Sequence, residues 1–272
     1  MEYLQSAWPR ICGKLKDARH ILFLTDYDGT LTPIVPKPEM ADLPENMRLL
    51  LEALAAEPRF TVGVISGRAL KDIREKVGIK DIFYAGNHGL EIQGPGINFI
   101  NPIARELRPV LQVTGFVLSH LLGSYKGVSI EDKGLSLSIH HRLADERKSK
   151  ELESVIKTVV NGKDANGQAK IAMGKNTYNI MPAAAWDKGK AITLLMKRCC
   201  KKSWKSGLFV MYFGDDLTDE DGFRAINAYG SGLSVLMGET NRLSAANYFL
   251  STPAELGDFM NTLLRQSQRG FY

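Results

Sequence analysis

The sequence predicts an α/β fold: a doubly wound, parallel-sheet core domain interrupted by an inserted α+β domain. Three observations carry this. Short, unbroken apolar runs such as Ile21–Thr25, Phe60–Ile65 and Leu208–Phe213 read as strands buried on both faces, the habit of parallel sheets. These runs alternate with stretches of helical period, the pattern that builds right-handed crossovers on either side of a sheet. Between about 103 and 181 the style changes to period-two alternation, which marks an antiparallel sheet with one wet face.

Taken in order, a helix is expected from Glu2 to about Ala18, then the strand Ile21–Thr25, which ends on Asp26. Leu43–Pro44 introduces a helix over 45–56, with Met47, Leu50, Leu51 and Leu54 spaced for one face. The strand Phe60–Ile65 is followed by Ser66–Gly67–Arg68 and a helix over 69–77. Strands follow at Ile82–Ala85 and Leu90–Ile92. Beyond Asn101–Pro102 comes a long helix over 103–122, and then two alternating segments, 127–132 and 135–140. Lys133–Gly134 between them reads as a hairpin connection. A helix over 144–160, a polar loop over 161–168 and strands at 169–173 and 177–181 complete the insert. After Pro182 the strand–helix style returns: a helix over 188–201, a strand at 208–213 ending on Gly214–Asp215–Asp216, a helix starting near Thr218, strands at 232–236 and 248–250, and a closing helix over 253–265. The expected domains are therefore 1–102 with 182–272, and 103–181.

The chain has 272 residues, enough for a substantial core, with 44% hydrophobic and 24% charged residues. The formal net charge of +5 comes from 35 Lys+Arg against 30 Asp+Glu, scattered rather than clustered. Arg147–Lys148–Ser149–Lys150 reads as a solvated helix face. No basic–aromatic patch suggests nucleic acid. Cys12, Cys199 and Cys200 cannot all pair and have no zinc spacing, so they read as thiols in a reducing compartment. No charged–apolar–cleavage pattern opens the chain, and no apolar run approaches the roughly 18 residues of a membrane span. The expectation is a cytoplasmic protein with no membrane partner.

The chemistry lies where strands end. Asp26, Ser66 and Asp215 each follow a buried apolar run, and parallel strands bring such ends to one sheet edge, where ligands of open α/β sheets bind. Asp26 and Asp28, two apart and followed by Gly29, form either a turn or a functional carboxylate pair. Asp215, Asp216 and Asp219 add acids at a second strand exit, and the two clusters together suit a hard divalent cation such as magnesium. Asp216 or Thr218 also suits a helix N-cap, and Thr218 with Asp221 loosely fits a capping box. Ser66–Gly67 offers a hydroxyl and an amide to a phosphate oxygen, and Lys188 offers a charge for a moving phosphoryl group.

These residues resemble the four motifs of the haloacid-dehalogenase-like (HAD) phosphatases: Asp26-x-Asp28-Gly29-Thr30, Ser66, Lys188 and Gly214-Asp215-Asp216-x-x-Asp219. From about residue 20 onward the chain more narrowly resembles the trehalose-6-phosphate phosphatases. That likeness rests on Asp26 to Ile34, Ile65-Ser66-Gly67-Arg68, Gly86-Asn87-His88-Gly89-x-Glu91, Asp187-Lys188-Gly189-x-Ala191 and Gly214 to Asp221. The resemblance implies a HAD-like core with a cap domain, Asp26 as nucleophile and Asp28 as acid and base. It implies Mg2+ held by Asp26, the backbone carbonyl of Asp28 and Asp215, with Asp216 and Asp219 supporting that shell. Thr30, Ser66, Gly67 and Lys188 would hold the phosphate. Arg68, Asn87 and His88 would contact substrate from the core, although His88 also reads as a plain turn residue. On the cap, Glu131-x-Lys133 and His140-His141-Arg142 match the family's hairpin, so Glu131, Lys133 and Arg142 would meet the sugar together with Asn179. The implied small-molecule partner is trehalose 6-phosphate, with a trehalose-phosphate synthase as a possible protein partner.

One departure stands out. Where the family reads Glu-x-Arg-Pro, this chain reads Asn179-Ile180-Met181-Pro182. Asn179 lacks the charge and Met181 the donors, so the departure bears on which sugar is selected rather than on phosphate chemistry. It leaves room for another phosphosugar of the glucosylglycerate or sucrose phosphate type. A catalytically silent phosphosugar sensor is the third reading, against which the intact nucleophile and acid argue.

Overall fold

The structure is a computed structural model that describes residues 1–162, 167–174, 176–199 and 207–270. Cys200, the expected helix end at 200–201 and half of the expected polar loop, 163–166, lie outside the described residues.

In chain order the first part holds β1 (Glu2–Tyr3), α1 (Trp8–Asp17), β2 (His20–Thr25), α2 (Glu45–Ala56), β3 (Phe60–Ile65), α3 (Leu70–Val77), β4 (Phe83–Gly86), β5 (Glu91–Gly94) and β6 (Ile97–Ile100). The middle part holds α4 (Pro102–Glu106), α5 (Arg108–Leu122), β7 (Ser129–Asp132), β8 (Leu137–His140), α6 (Ser149–Val160), β9 (Ala169–Gly174) and β10 (Thr177–Pro182). The last part holds α7 (Lys188–Cys199), β11 (Leu208–Gly214), α8 (Glu220–Tyr229), β12 (Gly232–Met237), β13 (Tyr248–Leu250) and α9 (Pro253–Gln268). Two compact units result, Met1–Asn98 with Asp187–Tyr272, and Phe99–Trp186.

The first unit is organised by a nine-stranded sheet in the order β1-β13-β12-β11-β2-β3-β4-β5-β6. From β1 to β4 neighbouring strands run parallel, and β5 turns back antiparallel to β4. Both faces are covered. Ile21, Phe23, Val62, Val64, Met211 and Phe213 pack against α1, α2, α3 and α9 in one apolar core. On the other face Tyr212 meets Gly222 of α8 and Ile192 of α7, so closely that a Cβ on Gly222 would lie 2.4 Å from the Tyr212 ring. Burial on both faces is why the central strands carry no polar alternation.

Several elements differ from expectation. The first helix begins only at Trp8, with Pro9 in its first turn. Glu2–Tyr3 instead adds a parallel edge strand, Leu4 N–H donating to Phe249 O at 3.1 Å. The expected helix over 103–122 is two helices, because Pro109 has no N–H for the carbonyl four residues earlier. The short strand near Ile92 runs to Gly94 and is followed by an unforeseen β6. Residues 146–148 form a 3-10 turn ahead of α6.

The second unit is a four-stranded antiparallel sheet, β7-β8-β10-β9, with α5 and α6 on one face. Leu137, Ile139, Tyr178 and Ile180 point into that helix-covered core with Leu111, Leu118, Leu152 and Ile156. The other face carries the polar half of the alternation. Ile180 is fully buried, so Ile180→Ala should cost about 2–5 kcal/mol, read as a lower denaturant midpoint for this unit. Among the described residues no helix is long and apolar enough to cross a membrane.

Candidate active site

β11, β2 and β3 are adjacent, so Asp215, Asp26 and Ser66 emerge side by side at the carboxyl edge of the sheet. Asp26 is held by its backbone, its N–H donating to Phe213 O at 2.8 Å. Lys188, the first residue of α7, places its ammonium between two carboxylates, 2.8 Å from Asp26 Oδ1 and 2.6 Å from Asp219 Oδ1. All three side chains are buried. Burial pushes the Asp26 carboxyl well above the ordinary carboxylate range; Lys188 opposes that rise, and Asp219 and Asp215 add to it. Burial alone would lower the Lys188 ammonium, but Asp219 and Asp26 hold it well above its usual value.

Asp219 is held from several sides. Its Oδ1 also accepts from Tyr212 Oη, and its Oδ2 accepts from Asp216 N–H at 2.9 Å. The capping box at this strand exit joins Asp216 to Asp219, not Thr218 to Asp221, because the chain enters a 3-10 turn at Leu217–Asp219 before α8 begins. Asp216 Oδ1 caps that turn, accepting from Leu217 N–H at 2.6 Å.

Asp26, Asp215 and Asp219 each offer an oxygen, and all three atoms lie within 4.8 Å of one another. The Lys188 ammonium pairs with two buried carboxylates, Asp26 and Asp219, and the half-buried Asp215 adds a third acid beside them, so formal negative charge exceeds positive. An all-oxygen donor set with that residual charge fits a hard divalent cation.

Gly29 is required here. Its φ is +83°, and a Cβ would stand 2.3 Å from Asp215 Oδ2. Gly29→Ala should therefore displace Asp215 and strain the turn by about 1–2 kcal/mol. The expected outcome is a weaker divalent-cation response in thermal melts, together with lost activity. Thr30 is fully buried beside this turn, and its Oγ1 has no hydrogen-bond partner among the described residues. Ser66, also buried, accepts Arg68 N–H on Oγ at 3.2 Å. The His88 ring packs on Gly67, where a Cβ would come within 2.6 Å of it.

Asn87 and His88 have φ of +51° and +57°, a left-handed conformation uncommon outside glycine. Asn87 N–H donates to Arg68 O at 2.7 Å and His88 N–H to Ser66 O at 2.9 Å. Asn87 Nδ2 donates to Glu91 Oε1 at 2.7 Å. This segment ties β4 to the Ser66 turn through backbone hydrogen bonds, which the turn reading of His88 accounts for.

Arg68 does not stand free. Its guanidinium grips both oxygens of Asp28 at 2.7 Å and also reaches Asp72 and the Pro38 carbonyl.

Glu131, Lys133, Arg142 and Asn179 stand on the second unit. Glu131, Ser138 and Asn179 form one cross-strand row on β7, β8 and β10. Ser138 Oγ donates to Asn179 Oδ1 at 2.6 Å, and Glu131 Oε2 lies 3.0 Å from His140 Nε2 and 3.7 Å from Lys133 Nζ. Arg142 is not in this row. It lies past the end of β8, lining a cavity of about 350 Å³ with Tyr125, Lys148 and Ser149.

Sequence reasoning missed Tyr212, hidden in an apolar run, and Arg242. Arg242 Nη2 donates to the carbonyls of Asp215 and Asp216 at 3.1 and 3.3 Å and lies 3.6 Å from Glu220 Oε1. Nothing in the local pattern around Arg242 marks it. Only its place in space does.

Known proteins resemble this chain over most of its length. Trehalose 6-phosphate phosphatase RA3 of Zea mays is 32% identical over 262 residues, covering 90% of this chain and 70% of that protein. The trehalose-6-phosphate phosphatase structure of Aspergillus fumigatus is 28% identical, with a TM-score of 0.68 over 98% of this chain and 99% of that one. The C-terminal domain of the C. albicans enzyme, at 23% identity, shares the fold with a TM-score of 0.80 over 97% of this chain and 98% of that one. The trehalose-phosphatase family model matches residues 24–254, a span that includes every residue of the candidate site discussed above, and the chain belongs to that family.

Proposed function

We propose that this protein hydrolyses trehalose 6-phosphate to trehalose and phosphate through an aspartyl-phosphate on Asp26. The observation that carries the reading is the buried set Asp26, Lys188, Asp215 and Asp219 at the sheet edge, beside a second carboxylate, Asp28, in a chain of this family.

Asp26 Oδ attacks phosphorus while the bond to the sugar oxygen breaks, and Asp28 gives its proton to the leaving alkoxide. A water molecule then attacks the phosphorus of the aspartyl-phosphate. Asp28 takes the proton, phosphate departs and the Asp26 carboxylate is restored. Lys188, already bonded to Asp26, balances charge as the phosphoryl group moves. Ser66 Oγ, the Gly67 amide and the Thr30 hydroxyl, which has no hydrogen-bond partner among the described residues, hold phosphate oxygens. Asp26, the Asp28 carbonyl and Asp215 would hold Mg2+, with Asp216 and Asp219 behind them. Bound there, the ion neutralises phosphate charge. Asn87 and His88 from the core, and Glu131, Lys133, Arg142 and Asn179 from the inserted unit, contact the substrate.

The test is a panel of sugar phosphates assayed for phosphate release with Mg2+ and with EDTA. Trehalose 6-phosphate should be the best substrate, and EDTA should remove turnover. One observation favours a second reading. Asn179 is neutral and spends its carbonyl on Ser138, and Met181 offers no donor, so the sugar contacts differ from the family's usual Glu and Arg. Faster release from another disaccharide or glycoside phosphate would replace trehalose 6-phosphate as substrate while leaving the chemistry intact.

A further inference from the structure

We propose that Arg68 is a positioning residue for the acid/base group: it fixes the Asp28 carboxylate for proton transfer and is not a ligand of the sugar. The proposal rests on the phosphatase reading above, in which Asp28 moves the proton.

The geometry is that of a planar fork. Arg68 Nε donates to Asp28 Oδ2 and Nη2 to Asp28 Oδ1, both at 2.7 Å. Nη1 donates to Asp72 Oδ2 at 2.8 Å, and Nη2 also donates to Pro38 O at 2.8 Å. Four of the five guanidinium N–H donors are thus used within the chain. The guanidinium lies over the Tyr27 ring, 5.2 Å from its centroid, and the side chain is only 7% exposed. Such a group has one donor left for a substrate and little room to turn.

Asp28 is the opposite case. Its side chain is 45% exposed on a tight turn, and alone it would sample several rotamers. A fork on both oxygens removes that freedom, while each oxygen keeps a second lone pair for the transferred proton. Proton transfer requires hydrogen-bond reach, and a displacement of about 1 Å costs about 100-fold in rate. Asp72, in the first turn of α3, and the Pro38 carbonyl hold the other side of the guanidinium, so the clamp on Asp28 is itself braced. A lysine cannot reproduce this, because one ammonium does not grip two oxygens in a plane.

The experiment separates proton transfer from everything else by the leaving group. p-Nitrophenolate leaves phosphorus without needing a proton, whereas a sugar alkoxide needs one. Wild type, Arg68→Gln, Arg68→Lys and Asp72→Asn are compared in rapid mixing with p-nitrophenyl phosphate and with the best sugar phosphate. For Arg68→Gln and Arg68→Lys the expected result is a kcat for the sugar phosphate lower by about 100-fold, with KM nearly unchanged. The first-turnover burst of p-nitrophenol should stay within a few-fold of wild type. Steady-state release should then be slow, because the second step also needs Asp28. Asp72→Asn should show the same pattern more weakly, and it carries the test if the Arg68 variants melt too low to assay.

Equal losses with both leaving groups in the burst would overturn the proposal in favour of a purely structural role. A raised KM for the sugar phosphate with kcat preserved would overturn it in favour of a sugar ligand. A wild-type protein that gives neither burst nor phosphate release would instead overturn the phosphatase reading, and the role of Asp28 with it.

Discussion

Lys188→Met is expected to cost about 3–5 kcal/mol of stability and essentially all turnover. The Lys188 side chain is 3% exposed, and its ammonium bridges Asp26 and Asp219 at 2.8 and 2.6 Å. Removing it leaves two buried carboxylates facing Asp215 with no cation between them, and a broken buried pair is far more costly than an absent one. For a chain of this size each kcal/mol moves the melting temperature by about 2–4 °C, so a fall of roughly 10 °C is expected in EDTA. Added Mg2+ should restore part of it, because a divalent cation supplies the missing positive charge. Melting curves with EDTA and with Mg2+ are the measurement. An unchanged midpoint in EDTA would mean that the ammonium is not the counter-charge this geometry makes it.

Asp26→Asn is expected to behave in the opposite way: a stable protein that does nothing. Asparagine keeps the shape but cannot attack phosphorus, so turnover should fall by about 10⁴-fold or more. No phosphoenzyme should form in a rapid-quench experiment with labelled substrate. Lys188 keeps Asp219 as a partner, and one of the three crowded carboxylates is gone. Because burial already pushes the Asp26 carboxyl upward, a neutral amide there relieves a cost. The melting temperature in EDTA should be no lower than that of the parent. Retained turnover would show that another group is the nucleophile.

The strand exits were legible because a parallel strand buried on both faces is written as an unbroken apolar run, and the residue after it is conspicuous when it is acidic. Asp26, Ser66 and Asp215 all stand out in this way. Lys188 was legible only in company, since a lone lysine before a helical stretch is ordinary. The pairings were not legible. Arg68 and Asp28 are forty residues apart and meet only because β2 and β3 are neighbours. Arg242 reaches the Asp215 carbonyl from a loop beyond β12, which no local pattern announces. The capping box was misplaced by two residues because a 3-10 turn and an α-helix start have nearly the same composition. On the inserted unit the alternation showed which residues share a face. It could not show that Asn179 bonds Ser138, which depends on the register between β8 and β10.

The ends of the second unit have a consequence of another kind. Phe99 and Trp186, its first and last residues, stack with ring centroids 5.1 Å apart and planes 28° from parallel. The chain therefore leaves the catalytic unit and returns to it through what is nearly a single point. A module attached in this way can be exchanged for one of different size without rerouting the backbone on either side. On the function proposed above, substrate choice and phosphoryl chemistry then separate in inheritance: a change at Asn179 or Met181 would alter the choice of sugar and leave Asp26, Asp28 and Lys188 as they are.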